Sequence, residues 1–160
     1  MWKGELIAIF IRPEAGEETT QLPQVHAVPG IGLEGDHYFR QPNKSEKPAH
    51  ASREVTLIEE EAIQAVVRDY GIPMELGQSR RNLVTRNVPL NHLVGREFQV
   101  GEVVLKGIRL CEPCSHLAAL TRKEYQQALV HRGGLRAQIL TDGLIRAGDV
   151  IHAEEQIGIR

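Results

Sequence analysis

Apolar positions along this chain fall in short runs separated by turn residues, a spacing that predicts a protein built mostly of strands. Leu6-Ile7-Ala8-Ile9-Phe10-Ile11 is a continuous apolar run closed by Arg12-Pro13, and its shortness and β-branched content predict a buried strand. The polar residues 14–21 predict a solvated loop. Val25-His26-Ala27-Val28 is a short alternating piece that ends at Pro29-Gly30. Arg53-Glu54-Val55-Thr56-Leu57-Ile58 alternates charged and apolar residues like a half-buried strand, and Leu83-Val84-Thr85 reads as another short one. Residues 96–100 and 103–110 flank Gly101-Glu102 and predict a hairpin with glycine at the bend. Residues 135–140 and 150–153 complete the strands.

A helical period occurs twice. Across residues 59–70, Ala62, Ile63, Val66, Val67 and Tyr70 recur at helical spacing and predict one apolar face against a sheet. Glu59, Glu60 and Glu61 suit the positive end of that helix and Arg68 its negative end, and Gly71 and Pro73 stop it. Thr121-Arg122-Lys123-Glu124 fits a capping box, with Tyr125, Ala128 and Leu129 as the face of a second helix that ends near residues 131–134. Pro89-Leu90-Asn91-His92-Leu93-Val94-Gly95 predicts a turn or a single helical turn. About seven short strands, frequent glycine turns and no regular strand–helix alternation predict a mainly β fold, a closed antiparallel or mixed β-barrel rather than a doubly wound sheet.

Composition narrows the function classes. A chain of 160 residues, 41% hydrophobic, suits one domain over residues 1–160 with a sizeable core. A formal charge of -2 and 4% aromatic residues argue against nucleic acid and anionic membranes as partners. The charged start Met1-Trp2-Lys3-Gly4-Glu5, and the lack of any apolar run of membrane-spanning length, predict a cytoplasmic protein.

Both cysteines lie in Gly107-Ile108-Arg109-Leu110-Cys111-Glu112-Pro113-Cys114-Ser115-His116-Leu117. Pairing of the preceding strand should stop near Pro113, which cannot donate to a ladder. Residues 115–120 can start a short helix whose free N–H groups would favour a thiolate at Cys114. Four chemistries are open to this stretch: a redox dithiol, half of a zinc site completed by His116 and a distant His26, His37 or His92, two inert cysteines, or one activated thiolate at Cys114. The dithiol normally accompanies a strand–helix alternation that this chain lacks.

Two further stretches carry chemistry. Gly32-Leu33-Glu34-Gly35-Asp36-His37 is a tight turn, read either as close approach to a ligand or as a plain turn in which Asp36 bonds its own backbone. Arg80, Arg81 and Asn82, beside Gly77 and Ser79 at the mouth of a strand, are a good set for an oxyanion such as phosphate. The alternative is an arginine paired with a surface carboxylate.

Taken together, these stretches resemble the MOSC domains, named for the C-terminal domain of molybdenum cofactor sulfurases. Gly32-Leu33-Glu34-Gly35-Asp36 resembles the family's early glycine-acidic turn, and residues 53–58 the strand before its first helix. Arg81-Asn82-Leu83 resembles its Arg-Asn segment and Glu112-Pro113-Cys114 the segment with its characteristic cysteine. Gly133-Gly134-Leu135 through Ile145-Arg146-Ala147-Gly148-Asp149 resembles its closing pattern. The resemblance implies a closed β-barrel of the MOSC type. It also implies that Cys114 acts as a sulfur carrier, for instance as a persulfide, or as a thiolate ligand to molybdenum. The cofactor is then molybdopterin, its phosphate near Arg81 and Asn82 with Arg80, Asp36 and His37 beside them, and Cys111 is at most a resolving thiol. Where the family turn often continues with Arg or Lys, His37 follows Asp36, so charge there depends on pH. None of the five lysines stands in a Schiff-base setting, which argues against pyridoxal phosphate on this polypeptide. The implied activity is molybdenum-dependent reduction of N-hydroxylated compounds or sulfur transfer, served by a sulfur-donor or electron-donor protein. The expectation from another class is a non-catalytic binding module or partner subunit with structural, zinc-binding cysteines.

Overall fold

In the computed structural model, residues 1–14, 18–39, 53–113 and 123–154 are described. Among them are eleven strands: β1 (Lys3–Ile11), β2 (Thr20–Leu22), β3 (Gln24–Val28), β4 (Gly32–Leu33), β5 (Val55–Glu59), β6 (Leu83–Arg86), β7 (Glu97–Val100), β8 (Val103–Leu110), β9 (Leu135–Ile139), β10 (Gly143–Arg146) and β11 (Val150–Ala153). Helices α1 (Glu60–Tyr70) and α2 (Lys123–Ala128) and two 3-10 turns, Leu76–Ser79 and Leu90–Leu93, complete the elements.

β1 is the hinge of the architecture because it pairs with three strands along its length: residues 3–5 with β11, 5–9 with β6 and 9–11 with β2. From β6 the ladder runs through β5, β9, β8 and β7 to β11 and back to β1, which closes a barrel of seven strands. Only β5 and β6 are parallel within it, and α1 makes their crossover. The fold is therefore the closed, mainly β mixed barrel that the hydrophobic pattern predicts. A small sheet, ordered β10-β3-β4, stands beside it.

Two apolar clusters follow from the strand period. Leu6, Ile9, Leu57, Leu83, Phe98, Leu105, Leu135 and Ile151 point into the barrel. Ala8, Phe10, Ile58 and Val84 point outward, where Ala62, Ile63 and Val66 of α1 and Tyr125, Ala128 and Leu129 near α2 cover them. A register shift between Leu6 and Ala8 puts an extra residue into β1, so Leu6 and Ile9 both face inward although they are three apart.

Several details differ from the expectations. β5 is buried from Val55 to Ile58 rather than half-buried, because it sits between β6 and β9 with α1 over its outer face. The stretch 14–21 is not all loop: Thr20–Leu22 form β2, an edge strand with two exposed residues that leaves no hydrophobic signature. In α1 the buried residues are Ala62, Ile63, Ala65 and Val66, whereas Val67 and Tyr70 are exposed. Val67 is a quarter turn off the stripe and Tyr70 lies in the final turn. Glu60 and Glu61 stand in the first turn of α1 as the charge pattern predicts, without a side-chain cap at Glu59, and they also reach outside the helix: Glu60 pairs with Arg86 and Glu61 accepts the Asn87 N–H at 2.8 Å. The predicted capping residue Thr121 lies outside the described residues. Among those described, no helix is long and apolar enough to cross a membrane.

His26 on β3 ties the small sheet together: its Nδ1 lies 3.1 Å from Glu34 and its Nε2 2.9 Å from Asp142. Two carboxylates satisfy both nitrogens only when the ring is an imidazolium, and their hydrogen bonds raise the His26 pKa above 6.5. The tie is complete below the ordinary histidine pKa and is lost as pH rises through the raised one. Proton NMR of the ring should show His26 titrating above 6.5 in the wild type and at the ordinary value in the Glu34→Gln, Asp142→Asn double variant.

Candidate functional site

The end of the barrel where β1 finishes and β6 begins gathers most of the residues singled out in the sequence. Asn82 forms its frame. Its side-chain oxygen accepts hydrogen bonds from the Thr56 N–H (3.0 Å) and hydroxyl (3.1 Å), and its Nδ2 donates to the Phe10 carbonyl at 3.0 Å. The residue is 4% exposed and joins β1, β6 and β5 through one amide. Asn82 thus spends its side-chain amide on Thr56 and on the Phe10 carbonyl, where the sequence reading put it against an anion.

Arg81 connects this frame to the cysteine segment. Its Nε donates to the Gly133 carbonyl at 2.8 Å and its Nη2 to the Cys111 carbonyl at 3.3 Å. The Cys111 N–H donates to Gly134 at 2.7 Å. Gly133 packs so closely that an added Cβ would lie 2.4 Å from the Cys111 carbonyl oxygen, which explains a glycine there. Glu112 accepts from the His131 N–H at 2.8 Å and meets its Nδ1 at 3.1 Å. Residues 111–113 are consequently clamped from three sides. Cys111 itself is a free, buried thiol. Cys114, with the predicted helix start at 115–120 and His116, lies outside the described residues.

One residue before Arg81, Arg80 turns the other way. It caps the 3-10 turn Leu76–Ser79 in the left-handed region, with φ 59, and is 7% exposed. Burial lowers its pKa, Arg12 adds to that effect and Glu18 opposes it. Arg12 directly follows β1. Its N–H donates to Asp36 at 2.8 Å and its carbonyl accepts from the His37 N–H at 2.7 Å. Asp36 also accepts from the Tyr38 N–H at 3.3 Å, which is the self-bonded turn the sequence offered as one reading, and the same carboxylate braces the Arg12 backbone. The Arg12 Nε and the His37 Nδ1 are buried and have no hydrogen-bond partner. The His37 and Tyr38 rings stack at 3.9 Å, and the guanidinium groups of Arg12 and Arg53 each lie 5.7 Å from the Tyr38 ring centre. Burial lowers the His37 pKa, Arg12 and Arg80 reinforce the effect, and Asp36 opposes it.

The structure therefore brings Arg80, Asp36 and His37 together and adds Arg12, which the sequence shows only as the end of a strand. Arg81 and Asn82 support this cluster rather than complete it. An arginine just after a buried strand and before a proline is too common a pattern to mark a site. Like charges gathered in partial burial, with donors left over, fit an oxyanion. Among the described residues no group of three or more His, Cys, Asp and Glu side chains could hold a metal; of the histidines considered for zinc, His26 is engaged by two carboxylates. A cavity of about 1030 Å³ lies near the opposite end of β1, lined by Trp2, His92, Arg96 and Lys106 among others, and includes none of the residues above.

Comparison with known proteins bears on the family and the fold. The family model for the MOSC domain matches residues 35–152. The YuaD protein from Bacillus subtilis has a similar structure, with a TM-score of 0.78 at 16% identity over 97% of this chain and 100% of its own. YiiM from Geobacillus stearothermophilus aligns with a TM-score of 0.71 at 14% identity, over 95% of this chain and 75% of that one. YiiM from Escherichia coli gives 0.65 at 15%, over 97% and 72%. No curated protein sequence matches the chain. With a matched region that runs from Gly35 past Asn82 and the clamped cysteine segment to His152, well over half of its length, the chain belongs to the MOSC domain family.

Proposed function

We propose that this protein binds a molybdopterin-type cofactor, or carries sulfur destined for it, through Cys114, with the phosphate end of the cofactor at Arg12, Arg80 and His37. The observation that carries this reading is the pair of buried, unpartnered nitrogens, the Arg12 Nε and the His37 Nδ1, beside a second buried guanidinium. A buried polar group without a partner costs about 1–3 kcal/mol, and an oxyanion would satisfy both nitrogens when the His37 Nδ1 carries a proton. Arg81 supports the same reading from the frame, since the residue next to Arg80 holds the carbonyl of Cys111, three positions before Cys114. Asp36 orients Arg12 and His37 and does not touch the anion. When bound, the cofactor supplies a metal that changes oxidation state; this chain contributes the anion site, the frame and the thiol.

The reaction class that accompanies this assignment is reduction of N-hydroxylated compounds or sulfur transfer, in the cytoplasm, with a separate protein as electron or sulfur donor. The test is to purify wild type and Cys114→Ala from a host that makes molybdopterin and to measure molybdenum and pterin content. Loss of molybdenum with retention of some pterin is expected for direct ligation. A persulfide mass increment confined to Cys114 is expected for sulfur carriage. Equal metal content in both proteins, with no increment on Cys114, refutes both. Zinc that is lost with either cysteine would favour the non-catalytic module.

A further inference from the structure

The anion cluster contains two groups that are always charged and one that is not. Arg12 and Arg80 keep their charge at any physiological pH, whereas the His37 ring can gain or lose a proton. The charged and titratable groups acting on His37 are Arg12 at the end of β1, Arg80 at the end of the 3-10 turn, and its own neighbour Asp36. Tyr38 stacks on its ring, Arg53 approaches Tyr38 from outside, and Glu18 acts on Arg80. Partial burial and the two guanidinium groups disfavour an imidazolium, and the Nδ1 has no partner in the protein.

A bound anion reverses that balance. We propose that the Arg12–His37–Arg80 cluster takes a doubly charged tetrahedral oxyanion, such as the end of a phosphate monoester, together with one solvent proton that is held on the His37 ring. This rests on the anion-site reading above and adds the charge state of the ligand. A dianion adds two negative charges beside a ring that already has Asp36 next to it, and so favours the imidazolium against the two guanidinium groups. A singly charged diester pulls on the proton less strongly, because the attraction scales with charge. An opposite charge within about 4–6 Å raises a pKa by about 1–3 units. By linkage, each unit of rise makes anion binding tenfold tighter on the acid side of both pKa values than on the alkaline side.

Sulfate and methyl sulfate are suitable probes, because their charges of two and one do not change over the histidine range, whereas a phosphate monoester loses its second proton at about pH 6. Sulfate binding is measured on the full chain at constant ionic strength at about pH 5 and about pH 8, on either side of the histidine range. The His37 ring signal is followed by NMR and assigned by its loss in His37→Gln. The expected result is at least tenfold tighter sulfate binding at the lower pH and a His37 pKa raised by a unit or more with sulfate. Methyl sulfate should shift it less, and His37→Gln should bind sulfate with little pH dependence. Sulfate binding of equal strength at both pH values, with the His37 pKa unmoved, overturns the proton coupling and leaves the anion site standing. Absence of sulfate binding at either pH overturns both. If His37→Gln fails to fold, the wild-type ring titration with and without sulfate decides alone.

Discussion

Asn82→Ala is expected to lower the free energy of unfolding by about 4 kcal/mol, read as a shift of the urea midpoint at unchanged slope. The substitution leaves the Thr56 N–H, the Thr56 hydroxyl and the Phe10 carbonyl without the side-chain partner they have now. Water does not easily replace that partner, since Asn82 is buried under the barrel rim. Each orphaned buried group costs about 1–3 kcal/mol, partly recovered by relaxation. Asn82→Asp makes the sharper test. One carboxylate oxygen can still accept from Thr56, but the other faces the Phe10 carbonyl, so ionisation is resisted and the folded-state pKa is raised. Its penalty is then greatest at alkaline pH and fades as pH falls through that raised pKa toward the ordinary value of about 3.9. A variant equally destabilised at all pH values would show that the Phe10 contact is unimportant.

The second large effect is on anion affinity. Arg12→Gln and Arg80→Gly are each expected to weaken sulfate binding by about tenfold or more at fixed pH, because a charge-assisted hydrogen bond is worth about 1.5–3 kcal/mol. The double variant should depart from the product of the two single effects, because both arginines act on one ion and groups that share a partner are not additive. Glycine suits Arg80 because its φ of 59 lies in the left-handed region, where a side chain is disfavoured. Weaker binding in a variant that keeps its cooperative unfolding therefore isolates the charge from the backbone. Affinity should also decline with added inert salt, as screening weakens attraction to a partly exposed cluster. Full sulfate affinity in Arg12→Gln would remove Arg12 from the site.

The sequence by itself determined the strands that carry an apolar period, the hairpin of β7 and β8, both helices and the barrel class. It also located the acidic turn, the Arg80–Asn82 stretch and the cysteine segment, because turn glycines and clustered polar groups are local signals. Edge strand β2 escaped notice because a strand paired on one side and exposed on the other needs no apolar residues. Only the tertiary structure decided how adjacent polar residues divide their work. Arg80, Arg81 and Asn82 read as one set along the chain, yet the fold sets Arg80 within the influence of Arg12 and Glu18, Arg81 on the Cys111 and Gly133 carbonyls, and Asn82 in the frame between β5 and β1. Arg12 joined the site for the same reason: barrel closure sets the end of β1 beside the acidic turn, twenty-four residues away in sequence. A side chain's partners depend on contacts between distant segments, and those exist only once the barrel has closed.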